Sequence, residues 1–361
     1  MSAEISPTLQ ALGLDVSTAE YLSEVPGSDE LVPGRVVRVD KGLSSVLTED
    51  GPVRASWSGG VLAAIAADPQ ATPCTGDWVA LRQWPDDRIT VDAVAPRRTA
   101  IVRAEVGGTS KGQVLAANVD VIAIVVGLHP EPNISRIERF LALAWESGAR
   151  PVVVLTKADL VVDASSIAED VATAAPGADV LVCSATTGEG LEEVRSLLDD
   201  NATLALLGVS GAGKSSLVNA LAGVELLNVQ AIREDGKGRH TSVRRELIQL
   251  PSGGVVIDTP GLRGIGLQEA GEGLAAAFPD VTALAEQCRF KDCVHVTEPG
   301  CAVREALDDG TLPVRRYESW AKLQREAAYM ARRADSRLQA EARKAWVRQT
   351  KDYRRDFKPR Q

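Results

Sequence analysis

Hydrophobic and polar positions follow two different rhythms along this chain of 361 residues. Between residues 34 and 95, short runs rich in β-branched residues are separated by glycine, proline and aspartate, as in GRVVRVD and RITVDAV. Runs of this length and spacing predict a small all-β domain. Five such runs fit an OB-type barrel, and a five-stranded sandwich or an SH3-like barrel fits them almost as well.

From about residue 119 the pattern alternates between strands and helices. The run VDVIAIVVG at 119–127 is almost continuously apolar, as expected of a strand that is buried on both faces. The runs PVVVLT, DVLVCS, TLALLGV and GGVVIDT follow, and helical stretches lie between them. This alternation predicts a doubly wound parallel sheet, which binds its ligand at the carboxyl ends of its strands.

Past residue 270 the alternation stops, and a cysteine- and histidine-rich stretch leads into a long basic helix that we predict from about 315 to 349. Apolar residues recur in that helix at steps of three or four. They are Trp320, Leu323, Ala327, Met330, Ala334, Leu338, Ala342 and Ala345. The predicted organisation is therefore an N-terminal extension at 1–32 with one short helix, an OB-fold domain at 33–98, an α/β domain at 99–270 and a metal-binding domain at 271–361.

Composition and charge narrow the class of protein. Hydrophobic residues make up 45% of the chain, and no apolar run approaches the ~20 residues of a membrane-spanning helix. The N-terminus lacks the basic start and apolar core of a signal peptide, and the five cysteines do not resemble a disulfide framework, so we expect a cytoplasmic protein.

The charge is distributed unevenly along the chain. The net charge is −9, yet residues 315–361 carry 15 Lys and Arg against 6 Asp and Glu. Such a tail suits contact with a polyanion, and a solvated helix with surplus charge is the alternative.

A phosphate-binding loop is predicted at Gly208–Ser215, which spells G-x-x-x-x-G-K-S between a strand and a helix. Glycines let backbone N–H groups wrap the phosphates, and the start of the following helix adds partial positive charge. Lys214 would reach the β- and γ-phosphates, and Ser215 would bind Mg²⁺. The candidate phosphate-binding residues are Gly208, Val209, Ser210, Gly211, Ala212, Gly213, Lys214, Ser215 and Ser216.

Two further stretches carry the predicted magnesium and γ-phosphate chemistry. VVIDTPG at 255–261 ends a strand with Asp258, whose carboxylate can hold Mg²⁺ through water, and the Gly261 N–H can sense a γ-phosphate. REDGKGRHTSVRR at 233–245 is a polar stretch suited to a switch loop. Thr241, or its neighbour Ser242, is the expected Mg²⁺-sensing hydroxyl.

The base is predicted to be read by residues that precede the phosphate loop. Thr156, Lys157 and Asp159 form a T-K-x-D sequence at a strand end, close to the N-K-x-D pattern in which the aspartate accepts two hydrogen bonds from guanine. Adenine offers no such pair of donors, so Asp159 predicts GTP rather than ATP. Ser184 and Ala185 of SATTGEG are similar to a second base-contacting loop. The order of the motifs is therefore rotated relative to an ordinary GTPase.

With these motifs, the chain resembles the circularly permuted GTPases of the ribosome small-subunit-dependent GTPase A (RsgA/YjeQ/YloQ) family. The resemblance rests on KGQVLAANVDVIAIVVG, TKAD, SATTGEGL, GVSGAGKSSLVNAL, GKGRHTSVRRE, IDTPGLRGIGL and the Cys/His cluster. It implies an N-terminal OB-fold, a permuted GTPase domain and a C-terminal zinc domain. It also implies a role in late maturation of the small ribosomal subunit, with GTP hydrolysis that is slow alone and stimulated by that subunit.

Two positions depart from common GTPase patterns. Thr156 stands where many GTPases have Asn, which predicts a looser brace of the base loop. Leu262 stands where Ras-like enzymes place a water-orienting Gln, so the polar catalytic group must lie elsewhere. His240 resembles the histidine that is proposed for this role in the family, and a surface loop histidine is the alternative. Lys214, Asp258 and His240 are the catalytic candidates.

The Cys/His cluster predicts a metal site. Cys288, Cys293, His295 and Cys301 offer three thiols and one imidazole within 14 residues, a donor set that fits a closed tetrahedral Zn²⁺ site. Their spacing also matches the zinc pattern of the family, and buried cysteines without metal are the alternative. Cys74 and Cys183 are expected in the core.

The leading functional prediction is Mg²⁺-dependent hydrolysis of GTP to GDP by a monomer that binds the small ribosomal subunit and its rRNA and contacts no membrane. One alternative is an RNA-binding assembly protein in which the nucleotide only gates affinity, and another is a P-loop ATPase. The basic helix and CRFKDCVH are candidate contacts for rRNA phosphates, and the barrel is a second candidate. Its tryptophans Trp57, Trp78 and Trp84 are expected in the core rather than as stacking platforms.

Overall fold

Two short helices open the chain in the computed structural model, which describes residues 5–103, 112–227, 245–259 and 271–334, without the side chains of 332–334. They are α1 (Pro7–Ala11) and α2 (Val16–Glu24), and Asp15 caps α2 by accepting a hydrogen bond from the Thr18 N–H. Four leucines of this segment lie in the main hydrophobic core: Leu9, Leu12, Leu14 and Leu22. The prediction of one short helix was therefore incomplete, because α2 presents few apolar residues to reveal it.

Five strands form a closed barrel in the order β1-β2-β3-β5-β4, with β1 also paired to β4. They are β1 (Leu31–Asp40), β2 (Leu43–Thr48), β3 (Gly51–Trp57), β4 (Trp78–Gln83) and β5 (Ile89–Val94), and α3 (Gly59–Ala67) connects β3 to β4. This confirms the OB-type barrel among the three architectures that the sequence allowed. Trp78 is buried, Trp57 is partly buried, and Trp84 is 38% exposed beside Arg88, so the expectation of a core position was wrong for Trp84.

A two-stranded antiparallel sheet joins the barrel to the α/β domain. It consists of β6 (Ala100–Arg103) and β7 (Gln113–Ala117), which the sequence pattern did not separate from a linker. Arg35 of β1 lies at this junction, fully buried, and donates hydrogen bonds to the carbonyls of Leu12 and Asn118 and to the Thr203 hydroxyl. Burial lowers the pKa of this guanidinium to about 10. The N-terminal helices, the barrel and the α/β domain are thus joined through one side chain.

The α/β domain is built on a six-stranded sheet in the order β10-β9-β8-β11-β13-β12. The strands are β8 (Val121–Gly127), β9 (Arg150–Thr156), β10 (Asp179–Val182), β11 (Thr203–Leu207), β12 (Glu246–Gln249) and β13 (Val255–Asp258). The helices between them are α4 (Ile134–Glu146), α5 (Ala164–Ala174), α6 (Leu191–Arg195) and α7 (Lys214–Ala222). All neighbouring strands are parallel except β12, an antiparallel edge strand that the sequence analysis did not identify.

Alternate residues of the central strands pack on opposite faces of the sheet. Ile122 and Ile124 of β8 face the core that includes α4, whereas Ala123 and Val125 face the core that includes α7. This period of two, with apolar residues at every position, confirms a parallel sheet covered on both faces. The carboxyl ends of five strands consequently share one edge, where the candidate nucleotide residues lie.

In the described part of the chain after the sheet, the helices are α8 (Gly271–Ala277), α9 (Pro279–Glu286), α10 (Ala302–Asp308) and α11 (Val314–Ala334). Gly273 lets α8 approach α4 closely, since a Cβ there would lie 2.4 Å from the Ala142 carbonyl oxygen. Arg316 of α11 is buried and bonds to Glu138 of α4 at 2.9 Å and to Asp280 of α9 at 2.8 Å. These ion pairs hold the C-terminal helices against the sheet domain.

The described part of α11 shows the predicted apolar stripe. Leu323 and Ala327 are buried, and Trp320 and Met330 are partly buried. The rest of the predicted helix, with Leu338, Ala342 and Ala345, lies outside the described residues. Among the helices that the structure describes, none combines the length and the hydrophobicity needed to cross a membrane.

Candidate nucleotide site and metal centre

The phosphate-loop sequence lies where β11 ends and α7 begins. Gly208 leaves the strand so close to β8 that a Cβ would sit 2.4 Å from the Val125 carbonyl oxygen. Gly211 and Gly213 have φ values of 83° and 94°, in the left-handed region where glycine is favoured. Val209 is partly buried, Ser210 is exposed at the turn, and Ser215 and Ser216 lie in the first turn of α7. The backbone therefore forms a tight turn at the expected phosphate position. A side chain at Gly208 would collide with β8, and side chains at Gly211 and Gly213 would strain the turn.

Lys214 lies at the centre of this loop. Its Nζ donates hydrogen bonds to the carbonyl oxygens of Gly208 at 2.9 Å and Val209 at 3.1 Å. Burial lowers the pKa of Lys214, and the nearby charge of Asp258 opposes that shift. Asp258 itself is buried at the end of β13, beside β11 in the sheet. The ammonium and this carboxylate are therefore brought to the same end of the sheet from chain positions that are 44 residues apart.

A hydroxyl of the T-K-x-D sequence contacts the phosphate loop directly. Thr156 ends β9, is 3% exposed, and donates a hydrogen bond of 2.6 Å to the Ala212 carbonyl oxygen. A Cβ on Gly213 would lie 3.1 Å from the same hydroxyl oxygen, so the two loops are in close contact. Thr156 thus braces the base loop against the phosphate loop. From the sequence, a Thr at the position where many GTPases have Asn had predicted a looser brace.

Asp159 and Ser184 are joined by a short hydrogen bond. The Ser184 hydroxyl donates to Asp159 Oδ1 at 2.5 Å, and the same hydroxyl oxygen accepts from the N–H groups of Thr186 and Thr187 at 3.2 and 3.1 Å. Ser184 is fully buried, whereas the Asp159 residue is exposed. One carboxylate is therefore held in a fixed orientation while it remains accessible to a ligand. Ala185 follows Ser184 in the loop and is partly buried.

Lys157 extends over the end of the neighbouring strand. It adopts a left-handed backbone conformation with φ 64°, and a Cβ on Gly127 would lie 3.5 Å from its Cδ and 3.6 Å from its Cε. Gly127 therefore leaves room for the aliphatic stem of Lys157 beside Asp159. The sequence analysis did not single out Gly127, although a glycine directly after the apolar run of β8 was a usable signal.

The structure brings together three predicted groups of residues. They are the T-K-x-D residues (156–159), the SAT residues (184–186) and the phosphate loop. The donor types fit the expected ligands, since N–H groups and an ammonium suit phosphates, and the hydroxyl of Ser215 and the carboxylate of Asp258 suit Mg²⁺. His240, Thr241, Ser242, Gly261 and Leu262 lie outside the described residues.

The predicted metal ligands also converge. One ligand atom from each of Cys288, Cys293, His295 and Cys301 lies within 4.8 Å of the other three. The sulfurs of Cys288 and Cys301 are 3.8 Å apart, and His295 Nδ1 lies 3.5 and 3.4 Å from them. A tetrahedron with Zn–S bonds of about 2.3 Å and a Zn–N bond of about 2.0 Å requires sulfurs about 3.8 Å apart and nitrogen about 3.5 Å from sulfur. The four side chains therefore have the spacing of a tetrahedral metal site.

Helix α11 covers one side of this cluster. The Trp320 ring lies 5.7 Å from the His295 ring, and the Tyr317 hydroxyl donates to the His295 carbonyl oxygen at 3.3 Å. Burial lowers the pKa of His295, which favours the neutral imidazole that a metal binds. The remaining cysteines of the described chain, Cys74 and Cys183, are buried and distant in sequence, as expected.

A parallel sheet with a phosphate loop, a T-K-x-D loop at a neighbouring strand end, and motifs in rotated order define the class of circularly permuted P-loop GTPases. The RsgA GTPase family model matches residues 94–268. The small ribosomal subunit biogenesis GTPase RsgA of Streptomyces coelicolor is 51% identical over 344 residues, which cover 94% of this chain and 92% of that protein. This chain belongs to the RsgA GTPase family, and it is a GTPase.

Solved structures agree with this assignment. YjeQ from Thermotoga maritima superimposes with a TM-score of 0.61 at 27% identity, covering 82% of this chain and 98% of that one. YloQ, described as a circularly permuted GTPase, superimposes with a TM-score of 0.54 at 26% identity, covering 82% of this chain and 95% of that one. The resemblance inferred from the motifs is confirmed.

Proposed function

We propose that this chain is a late-stage maturation factor of the small ribosomal subunit that hydrolyses GTP to GDP and phosphate when it is bound to that subunit. Relatives at up to 51% identity are named small ribosomal subunit biogenesis GTPases, and they match this chain over most of its length. The observation that supports the nucleotide assignment best is the hydrogen bond from Thr156 to the Ala212 carbonyl oxygen, which brings the base loop and the phosphate loop into contact.

In this proposal Asp159 accepts hydrogen bonds from the guanine base while Ser184 fixes its orientation, and Lys157 lies along the ring. The selection of guanine follows from the cost of leaving a carboxylate unpaired beside adenine. The N–H groups from Gly208 to Ser216 and the ammonium of Lys214 bind the phosphates. The ammonium exchanges its two carbonyl partners for phosphate oxygens, which are stronger acceptors because they are charged.

Hydrolysis in this proposal also requires Mg²⁺, held by Ser215 and by Asp258 through water. When bound, the metal supplies charge neutralisation at the β- and γ-phosphates. Thr241 senses the metal, Gly261 senses the γ-phosphate, and His240 orients the attacking water, since the aliphatic Leu262 cannot. These roles rest on the sequence motifs, because His240, Thr241, Gly261 and Leu262 lie outside the described residues.

We assign the four-residue Cys/His cluster to one structural Zn²⁺. Three thiolates and one neutral imidazole are soft donors that favour zinc over magnesium or calcium. Such a site would hold the segment between α9 and α10, which has little other secondary structure in the described residues. The basic C-terminal helix and the Arg289, Phe290 and Lys291 side chains beside the cluster are candidate rRNA contacts.

We further propose that the protein acts in the cytoplasm, because its proposed partner is a cytoplasmic particle, and that it does so as a monomer without contact to a membrane. A second candidate function is an RNA-binding assembly protein in which the nucleotide only gates affinity. Leu262 favours that alternative, since it replaces the glutamine that orients water in Ras-like enzymes.

The deciding experiment is phosphate release from GTP with the full-length protein, titrated with purified small ribosomal subunits and, separately, with large subunits. We expect a severalfold rise in turnover that saturates with the small subunit only. Binding of the small subunit without any rise in turnover would favour the gating alternative. The absence of binding would remove the ribosomal assignment and leave the GTPase assignment intact.

A further inference from the structure

The backbone around His295 is held by the carboxylate of Glu298. Its Oε1 accepts a hydrogen bond from the Val294 N–H at 3.1 Å, and its Oε2 accepts from the N–H groups of Val296 at 2.9 Å and Thr297 at 3.0 Å. One carboxylate therefore binds the N–H groups on both sides of His295. Glu298 provides none of the four ligand atoms that converge in the Cys/His cluster.

The turn at His295 needs such support, because its backbone is in an uncommon conformation. His295 has a φ of 59°, in the left-handed region that residues other than glycine seldom occupy and keep only where the surrounding structure holds them. Val294 and Val296 give little hydrophobic anchorage, since they are 65% and 60% exposed. Polar contacts are therefore the main support of this turn.

Two other polar side chains attach the same turn to helices. Arg304 of α10 donates a hydrogen bond to the Val296 carbonyl oxygen, and Tyr317 of α11 donates to the His295 carbonyl oxygen at 3.3 Å. These two bonds determine where the turn lies on the helices. The Glu298 bonds connect residues within the turn, so they bear most directly on its shape and on the direction in which the imidazole leaves the backbone.

We propose that Glu298 is a positioning residue for the metal, which holds the left-handed turn at His295 so that Nδ1 faces the thiols. Nδ1 lies 3.5 Å from the sulfur of Cys288 and 3.4 Å from that of Cys301, so metal binding requires little rearrangement of this loop. A site that is already ordered binds more tightly, because the ligand does not have to order it. The inference rests on the assignment of the cluster to Zn²⁺ in the proposed function.

The test compares two variants of Glu298 with the wild-type protein. Glu298→Ala removes all three hydrogen bonds. Glu298→Gln keeps one oxygen as an acceptor but places an NH₂ group against backbone donors, so its effect should be smaller than that of alanine. Asp309→Asn is the matched control, since Asp309 follows α10 and accepts from the Thr311 N–H at 2.9 Å and the Thr311 hydroxyl at 2.6 Å. It lies near the cluster in sequence but outside the segment that carries the ligands.

Each full-length protein is loaded with Zn²⁺, and the dissociation constant is measured by competition with a chromophoric chelator. Co²⁺ is bound in parallel, because its visible spectrum reports tetrahedral coordination by thiolates. GDP binding shows whether the rest of the chain is folded. We expect Glu298→Ala to bind Zn²⁺ at least about tenfold more weakly, which is the usual effect of removing a contact that orients a metal ligand. Glu298→Gln should show a smaller loss and Asp309→Asn less than about twofold, with the same Co²⁺ spectrum in all four proteins at saturation.

Three results would overturn the inference. Wild-type affinity in both Glu298 variants would remove the positioning role. An equal loss in Asp309→Asn would show that affinity follows the general stability of these helices. An altered Co²⁺ spectrum in Glu298→Ala would mean that the substitution changes the ligand set itself. If Glu298→Ala does not fold, Glu298→Gln decides alone, and wild-type affinity in that variant would count against the role.

The wild-type protein separates this inference from the zinc assignment. Failure of the wild type to bind either Zn²⁺ or Co²⁺ would contradict the metal site in the proposed function. Tight binding by the wild type together with equally tight binding by both Glu298 variants would contradict only the positioning role.

Discussion

Asp159→Asn is the substitution that tests the guanine pocket most directly. The Asp159 carboxylate is accessible, and Ser184 donates to one of its oxygens at 2.5 Å. In the proposed pocket it accepts the N1–H and the N2–H of guanine. An amide at this position offers one acceptor and one donor, which matches the N1–H and the 2-carbonyl of xanthine instead.

The magnitude follows from two hydrogen bonds to a charged acceptor. Each contributes about 1.5–3 kcal/mol. The amide loses one of them outright and keeps the other only to a neutral oxygen, which is worth about 1 kcal/mol less, so binding weakens by about 2–4 kcal/mol. This corresponds to a rise of between about 30-fold and 10³-fold in the dissociation constant of GDP. The Ser184 hydroxyl keeps a partner after the substitution, since the amide oxygen still accepts its proton, and the fold is expected to remain stable.

The assay is displacement of a fluorescent guanine nucleotide by unlabelled GDP, XDP and ADP. Asp159→Asn should prefer XDP to GDP, while the wild type shows the reverse order and ignores ADP. Ser184→Ala is the control: it releases the carboxylate from its fixed orientation and should weaken GDP binding without favouring XDP. If Asp159→Asn still prefers GDP, then Asp159 does not read the base and the pocket has been assigned incorrectly.

Three other expectations concern the brace, the ion-pair network and the metal. Thr156→Val should lower the free energy of unfolding by about 1–3 kcal/mol, because the buried Ala212 carbonyl loses its partner; urea denaturation measures this, and an unchanged midpoint would contradict it. Arg316→Met should lower the free energy of unfolding by about 3–5 kcal/mol, since the fully buried Glu138 loses its nearest cation. Arg139→Ala removes one partner of a partly exposed ion pair and should lower it by only about 0–1 kcal/mol. Equal losses for the two variants in urea denaturation would refute this distinction. Metal analysis should find one zinc per chain. Acidification should release it, because the thiolates and the imidazole must be deprotonated to bind the metal. A metal-free protein whose helices α8–α11 remain folded would exclude the site.

The sequence predicted most of the sheet domain because its signals are local. Continuous apolar runs mark strands that are buried on both faces, and the residues at their carboxyl ends necessarily meet at one edge of a parallel sheet. For this reason the order of strands and motifs along the chain is enough to predict that the T-K-x-D and SAT residues lie beside the phosphate loop. The Cys/His spacing predicted convergence in the same way, since four metal ligands lie within one short segment.

The features that sequence analysis missed depend on contacts between distant segments. Among the described strands, β12 pairs only with β13, and its four residues are too few to show a helical or strand period. The burial of Arg35 could not be expected, because an arginine in a barrel strand usually faces solvent and its hydrogen-bond partners, Leu12, Gly76, Asn118 and Thr203, come from four other segments. The same is true of Thr156, whose bracing role depends on Ala212, 56 residues further along the chain.

The rotated chain order has a consequence for how the added domains are attached. In the sheet, β11 carries the phosphate loop and lies between β8 and β13. The barrel and its connecting hairpin precede β8, and the Cys/His module follows β13, so both are linked in sequence to the strands that flank β11. Arg35 adds a direct bond of 2.9 Å from the barrel to Thr203, the first residue of β11. The barrel and the Cys/His module are therefore each attached to a strand that is adjacent to β11 in the sheet. The rotated motif order still brings the base loop and the phosphate loop together, because the positions of the strands in the sheet, and not their order along the chain, decide which strand ends are neighbours.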